Sequence, residues 1–552
     1  MALPHLTRAP RAHDALRDGL SVSAAPSPAA AEAEPGRRRL ERWVLASAVL
    51  SSGMAFMDGA ALSVVLPAIQ TDLSATGADL LWIANAFAVP LAALLLLGGA
   101  LGDALGRKRV LIAGILIFAA GSLACGLASG IRCLIAARVV QGVGGALMIP
   151  GALALIAAFF DPARRGQAIG TWSAFTVLAL VAGPLLGGLL AKMGLWRGVF
   201  LISLPLAAIA LVVLLAKIPA LPAQSERVRV DWWGALTVSA GMAGLTHGLI
   251  EWPQQGPGAG AAASVLAGVL ALAAFVFIQS KVRHPLLPLE IFRSRTLTVA
   301  SMLTVLFYLA LHGFMFFLPL NLIQVQHYDP VLAGLAQLPL MAAMIALSRF
   351  AGKLVDRRGP RLPLMIGPAI AGTGFWLLTV PGVTSGPPEF AGAFLPGLLL
   401  VGVGLGLSAA PLSTTVIGAV AASHTGLAAG INSTLSRFAA VLALATLGPV
   451  GMVAFERSLE ARVAHLDLPA KAQTQLRQDS VKLLETRPPA GLPRETSQEV
   501  RRSIDLAFVD AFRLVGWLAA ALSCIAALLA ACLPDGRSVA KVSPENSPAW
   551  RS

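Results

Sequence analysis

The sequence predicts an all-α membrane protein built as two six-helix halves with two further helices inserted between them. Three observations carry that prediction. Hydrophobic residues make up 56% of the 552-residue chain and charged residues only 13%, with a mean hydropathy of +0.75, which leaves too little polar surface to close a water-soluble globule. The apolar residues gather into runs of about 20 or more, the length needed to cross a hydrocarbon core roughly 30 Å thick. Finally, the charged stretch Gly99 to Arg109 (GALGDALGRKR) has a counterpart in Gly352 to Arg361 (GKLVDRRGPR), which repeats its Gly, Asp, Gly and basic positions between apolar runs. A recurrence of this kind marks a duplicated supersecondary unit.

Residues 1–40 are rich in Ala, Pro and Arg and have no apolar core before Val44. They read as a cytoplasmic tail without a cleavable signal. Apolar runs at 43–69, 80–101, 110–129, 133–159, 167–191 and 198–217 make a first six-helix half over 41–217. Runs at 232–250 and 260–280 form an inserted pair within 218–281, and a pair preserves the direction of everything that follows. The second half, 282–533, holds runs at 297–324, 331–351, 362–380, 391–411, 426–453 and 510–533, which brings the expected total to fourteen spans. Its polar segment 456–508 is expected as an extracytoplasmic loop holding a short amphipathic helix, and 534–552 as a second cytoplasmic tail. Internal Gly and Pro do not count against these runs, since both are common in membrane helices.

A formal net charge of +14 raises the question of nucleic acid, but the basic residues sit in short loops rather than on a polar face. That distribution suits an anionic bilayer surface, and no nucleic-acid partner is expected. With a cytoplasmic N-terminus, Arg37 to Arg39, Arg107 to Arg109, Arg164, Arg165, Arg227, Arg229, Arg293, Arg295, Arg357 and Arg358 share one side, while the first opposite loop, Gln70 to Asp79, carries two Asp and no base. Positive charge retained inside orients the chain in a cell (inner) membrane with both termini cytoplasmic; Arg132, Lys192 and Arg197 are exceptions. Cys125, Cys133, Cys524 and Cys532 lie in or beside apolar runs without metal-ligand spacing and read as packing residues. No nucleotide loop, metal cluster or nucleophile arrangement is present in the sequence. The expectation is therefore not an enzyme and no cofactor, with an ion gradient as energy source, worth roughly 2.3 kcal/mol per charge per 100 mV.

Gly99, Asp103, Gly106, Arg107 and Lys108 resemble the loop signature of the major facilitator superfamily, with Ala104 where a basic residue is usual. Arg138, Gln141, Gly142 and Gly144 resemble its fourth-helix signature, and Gly183, Pro184, Gly187 and Gly188 the fifth-helix signature associated with antiporters. Asp58 with Leu66, Pro67 and Gln70 resembles the first-helix signature of the fourteen-span drug:proton antiporters of the EmrB/QacA type. Trp196-Arg197 followed by Phe200, and His284 to Pro288, extend the likeness along the membrane part. The sequence departs from the pattern at Ala60 and Ser63, where Thr and Asn are usual, and at Ser436, Arg437, Ala439 and Ala440. The resemblance implies the major facilitator fold, alternating access, and export of a small amphiphilic or hydrophobic molecule in exchange for protons. A dedicated exporter of an endogenous metabolite, or a non-transporting membrane sensor on the same fold, remain as alternatives. Whether a periplasmic adaptor continues the path is left open.

Asp58 falls near the middle of the first run, where a carboxylate costs roughly 2.5 to 3.5 kcal/mol on insertion scales unless it is protonated, paired or wetted. It is the expected proton site; the alternative is a structural acid paired with a neighbouring base. Arg138 keeps its proton and so acts on a nearby carboxylate or as a clamp on helix carbonyls, and Gln141, one turn along on the same face, could share either job. Gly183, Pro184, Gly187 and Gly188 strip and kink one face of their helix, either as the antiporter element or as a plain packing face. Gly99, Asp103, Gly106, Arg107 and Lys108, with Asp356, Arg357 and Gly359 in the repeat, are the expected conformational latch, the plainer reading being a positive-inside loop. Asn85, Gln141, His312, Gln324 and Asn432 are expected along the substrate path, although most membrane polar residues are hydrogen-bonders between helices. Phe56, Met57, Phe87, Phe175, Phe307 and Phe314 would give that path an apolar lining suited to hydrophobic or cationic cargo.

Overall fold

The computed structural model describes residues 28–219, 231–255, 259–420, 425–466, 468–480, 486, 488–489 and 491–533, and those residues contain helices and no strand. The first half comprises α1 (Pro28–Leu73), α2 (Gly77–Leu105), α3 (Arg107–Gly126), α4 (Ile131–Phe159), α5 (Pro162–Lys192), the short α6 (Gly198–Leu201) and α7 (Ser203–Lys217). α8 (Trp232–Gln255) and α9 (Ala259–Lys281) follow, at the place where the sequence leads one to expect an inserted pair. The second half comprises α10 (Arg295–Leu320), α11 (Pro330–Leu335), α12 (Leu338–Arg358), α13 (Arg361–Leu377), α14 (Phe390–Ala393), α15 (Leu395–Gly418), α16 (Thr425–Val463), α17 (Ala470–Ser480) and α18 (Arg494–Ala530). Twelve spans among the described residues are long and apolar enough to cross a membrane. α8 and α13 run in the bundle without meeting that measure; α13 has 17 residues, and α8 carries Thr237, Ser239, Thr246 and His247 among its apolar residues.

Local chemistry fixes the turns. Thr76 caps α2 reciprocally with Asp79: the Asp79 N–H donates to Thr76 Oγ1 at 3.2 Å and the Thr76 N–H donates to Asp79 Oδ2 at 2.8 Å, which satisfies two otherwise orphaned donors. The α2–α3 and α12–α13 turns both pivot on a glycine at positive φ, 100° at Gly106 and 79° at Gly359, a region that a side chain disfavours. The sequence repeat is thus a repeat of backbone geometry.

α1 begins at Pro28, inside the stretch expected as a tail. The Arg37–Glu41 pair, one turn apart, and Arg164 against Glu41 carry the helix beyond its apolar run. The expected loop 456–508 is also more helical than the apolar pattern implied. α16 continues to Val463 and α18 starts at Arg494, because Arg462 and Ser458 on one helix bind Asp510 on the other at 2.8 and 2.6 Å.

α8 and α9 are tied together by Asp231, which accepts the Gly234 N–H at 2.8 Å and the Gln279 amide at 2.6 Å. Through α8 the pair packs on α2 of the first half and α16 of the second. We call the face where α1 begins the base and the opposite face the far side. One apolar core runs through the far part of both halves, from Leu66, Leu81 and Phe200 to Phe307, Phe375 and Phe512. The base part of the first half keeps a separate core around Met54, Leu111, Phe118 and Leu155, and the base of the second half another around Leu297 and Val416. The core that the halves share therefore lies at the far side, while toward the base α2 and α16 still meet where Leu96 lies against Gly430.

Candidate functional site

Three helices of the first half place one polar cluster in its interior. Asp58 on α1, Ser122 on α3 and Arg138 with Gln141 on α4 are all at most 1% exposed. The Arg138 guanidinium is ion-paired with Asp58; its Nη1 also donates to Gln141 Oε1 at 2.7 Å, and its Nε donates to the Ile83 carbonyl at 3.2 Å. Gln141 Nε2 donates to Asp58 Oδ1 and to Ser122 Oγ, each at 2.9 Å. The Phe87 ring lies 4.5 Å from the guanidinium carbon and Phe200 5.7 Å, so the cation is capped by aromatic faces. Every charge is paired and sealed from water, the condition under which ions are tolerated at bilayer depth.

The antiporter-like glycines adjoin this cluster. Gly183 lies against the Met57 carbonyl and Gly187 against the Ala61 carbonyl, so α5 packs directly on the α1 turns that flank Asp58. Gly188 lies against the Pro330 carbonyl of α11, and Gly334 of α11 against the Pro184 carbonyl. A Cβ at either of these glycines would collide with backbone. Two adjacent stripes of α5 thus touch the acid-bearing helix of its own half, through Gly183 and Gly187, and the far-side helix of the other, through Pro184 and Gly188. Beside that contact, Lys192 Nζ and Asp329 Oδ2 are 2.9 Å apart across the halves. Lys192, and secondarily the Val331 N–H, hold the Asp329 carboxyl below the usual carboxylate range against burial.

The Major Facilitator Superfamily profile matches residues 48–444 of the chain. The chain belongs to the Major Facilitator Superfamily. Among curated relatives of this facilitator, the tetracenomycin C resistance and export protein of Streptomyces glaucescens is 31% identical over 86% of this chain and 88% of its own. The multidrug resistance protein Stp of Mycobacterium tuberculosis is 32% identical over 72% of this chain and 73% of its own. The puromycin resistance protein pur8 of Streptomyces alboniger is 32% identical over 78% and 85%. A solved bacterial homologue of the lysosomal transporter Spinster, inward-facing and occupied, shares the fold at TM-score 0.59 and 18% identity over 89% of this chain and 96% of that one. It is a membrane transporter, not an enzyme.

Other expected site residues of the facilitator fall in different places. Gln141 belongs to the Asp58 cluster rather than to an open path, because it faces α1 and α3 inside the half. Asn85 is 0% exposed, and both its amide atoms lack a hydrogen-bond partner among the described residues. Its helical neighbours explain this: Leu81, one turn before, meets Gly448 of α16, and Val89, one turn after, packs with Val441, so Asn85 sits in the closed seam between halves. Asn432 ties α16 to α10 and α15, accepting from Thr304 Oγ1 at 3.0 Å and donating to Ser413 Oγ at 3.5 Å. Gln324 lies on a π-helical turn, Asn321–Val325, toward the far end. Phe307 and Phe314, expected in the lining, are buried in the second half's core, where Phe314 packs on Phe375 and Phe512.

In the latch, Asp103 pairs with Arg107 at 3.1 Å, Arg107 donates to the Ala154 carbonyl at 3.3 Å and Lys108 to the Ile218 carbonyl at 2.5 Å. These bonds join α2, α3, α4 and α7 within one half. Gly99 lies 3.9 Å from Pro150 by the position a Cβ would take. Arg357 is exposed, and the side chain of Asp356 lies outside the described part of the structure. Sequence reasoning passed over Ser122 as a partner in the cluster and Tyr308 beside His312. A lone Ser or Tyr in an apolar run carries no spacing signal.

Proposed function

We propose that this transporter is a proton-coupled exporter of small amphiphilic molecules that works by rocking two helical halves about a midplane site. The observation that carries this reading is the sealed Asp58–Arg138–Gln141 cluster lying against the α5 face that also closes the far side. A carboxylate paired with a cation is released when it takes up a proton, because the neutral acid no longer holds the guanidinium. Protonation of Asp58 would loosen α1 against α4, beside the glycine contact through which α5 meets α11. Proton binding and far-side opening are then biased by one packed unit.

The names of the relatives support export, since several are resistance or export proteins for drugs and antibiotics. The resemblance to EmrB/QacA-type antiporters and the placement of α8 and α13 among the other helices support a fourteen-span chain. The base carries Arg107, Lys108, Arg164, Lys217, Lys281, Arg357 and Arg358, which supports an inner-membrane orientation with cytoplasmic termini and an inward-open state. The latch would engage the second half when the base closes.

The test is proton-gradient-driven uptake of a compound panel, including tetracenomycin C, puromycin and lincomycin, into inverted membrane vesicles. Wild type is expected to accumulate at least one compound and to collapse to the uncoupled level on Asp58→Asn. Undiminished gradient-driven uptake by Asp58→Asn would overturn the coupling assignment, and no uptake of any compound would favour the sensor reading.

A further inference from the structure

Near the midplane a second group of polar side chains lies where the halves face each other. Arg437 on α16 holds its guanidinium carbon 5.5 Å from the ring centre of Phe56 on α1, one of the contacts between halves that involve a charged group. Arg437 is only partly buried, and no carboxylate or hydrogen-bond acceptor among the described residues meets it. On α10, His312 stacks on Tyr308 with ring centres 5.8 Å apart and 29° between planes. His312 Nδ1 engages the Tyr308 carbonyl at 2.8 Å, which leaves the other ring nitrogen and the Tyr308 hydroxyl without partners among the described residues. Both rings are partly exposed, and the stretch of α10 that carries them packs along the stretch of α16 that carries Arg437, with Thr304 bonded to Asn432 at 3.0 Å before them and Gly313 against Leu447 just after.

The contrast with Arg138 is informative. Arg138, at 1% exposure, is neutralised by Asp58 and bound by a glutamine and a carbonyl. Arg437, at comparable depth, has an aromatic face and, among the described residues, nothing to neutralise it. An uncompensated guanidinium at bilayer depth is strongly unfavourable and is tolerated where it lines a wet cavity that a counter-charge can enter. Its fork geometry matches a carboxylate or a pair of adjacent oxygens, and its flat face, like those of Phe56, Tyr308 and His312, accepts a planar ring.

We propose that Phe56, Tyr308, His312 and Arg437 form the cargo-binding site, and that it takes an aromatic amphiphile whose polar end is an anion or a dense cluster of acceptor oxygens. Arg437 is the specificity-determining residue, and the preference is against cationic compounds. This inference rests on the alternating-access reading above and supplies its substrate class. Asp58 has no part in cargo recognition, because Arg138 and Gln141 occupy both its oxygens.

The test uses the purified full chain in nanodiscs, with no gradient, and three probes that share one ring system: 1-pyrenebutyrate, 1-pyrenebutanol and 1-pyrenebutylamine. Binding is read by fluorescence titration at neutral pH, in nanodiscs of zwitterionic lipid, with empty discs subtracted. The acid is expected to bind about tenfold or more tightly than the amine, as a charge-assisted contact requires. Arg437→Gln is expected to erase that preference, bringing the acid and the amine to within about threefold of each other, and Arg437→Lys to keep part of it. Equal binding of acid and amine by wild type, no binding of the acid, or a preference that survives Arg437→Gln would each overturn the proposal. Since no gradient is applied, failure of proton coupling leaves this result untouched. Selective binding by a chain that moves nothing in vesicles would instead overturn the transporter reading alone.

Discussion

If Asp58 and Arg138 are one unit, their removal is strongly non-additive. Asp58→Asn leaves the Arg138 guanidinium buried at 1% exposure with only a glutamine oxygen and a carbonyl. Arg138→Gln leaves a carboxylate, 0% exposed, held only by the Gln141 amide. Each single change should destabilise the first half by about 3 to 5 kcal/mol, the usual penalty for an uncompensated buried charge. The double variant, Asp58→Asn with Arg138→Gln, leaves a neutral network in which the two introduced amides join the side chains of Gln141 and Ser122. It loses chiefly the guanidinium stacked on Phe87, for which about 1 to 3 kcal/mol is reasonable. Simple addition would give about 6 to 10 kcal/mol, so the cycle should return a coupling of about 3 kcal/mol or more. Thermal transitions of the detergent-solubilised protein, followed by fluorescence-detected size exclusion, read this directly. Both single variants should melt well below wild type and the double variant above either. A double variant that melts at the sum of the two single shifts would refute the account of the cluster as a mutually neutralising pair.

Gly188→Val should clash with the Pro330 carbonyl, disfavour far-side closure by about 1 to 3 kcal/mol, and raise the labelling of far-side cysteines placed in α11 by roughly 5- to 150-fold in rate. The Lys192–Asp329 pair should hold the far side equally from pH 5 to pH 8. The Asp329 carboxyl is held below its ordinary value, so its contribution is present above that value and is lost only as pH falls through the depressed one. Both partners are partly exposed, which limits Lys192→Gln to a change of less than about 1 kcal/mol, measurable as a few-fold shift in the same labelling. Asn85→Leu replaces a sealed amide that has no partner among the described residues and should stabilise the far-closed state by about 1 to 3 kcal/mol, seen as a higher melting temperature. A lower one would mean that the amide is satisfied by water.

The clearest sequence signals were those that a single segment must carry alone. Gly106 and Gly359 could be paired across the chain because a sharp turn between membrane helices needs positive φ and basic flanks, and both requirements are local. Asp58 and Arg138 could be singled out because any ion within an apolar run demands an explanation. Gln141, one turn from Arg138 on the same helix face, could be read from spacing as sharing its role, but the meeting of both with Asp58 and Ser122 was not legible. Asn85 shows the same limit from the other side. A polar residue in an apolar run looks like a path residue, yet the rotation of α2 turns it toward α16.

By itself, then, the sequence determined the bilayer as solvent, the repeated glycine turn and the identity of the costly ions. Each of these follows from the hydrophobic thickness that every span must cross and from turn chemistry confined to a few neighbouring residues. Only the tertiary structure decided which ions neutralise each other, where the halves share a core, and that Arg437 stands over Phe56 with no counter-charge among the described residues. The physical reason is that these depend on how each helix is rotated and how closely its neighbours approach. Those choices are made by packing between segments that lie tens to hundreds of residues apart, and no pattern within one helix records them.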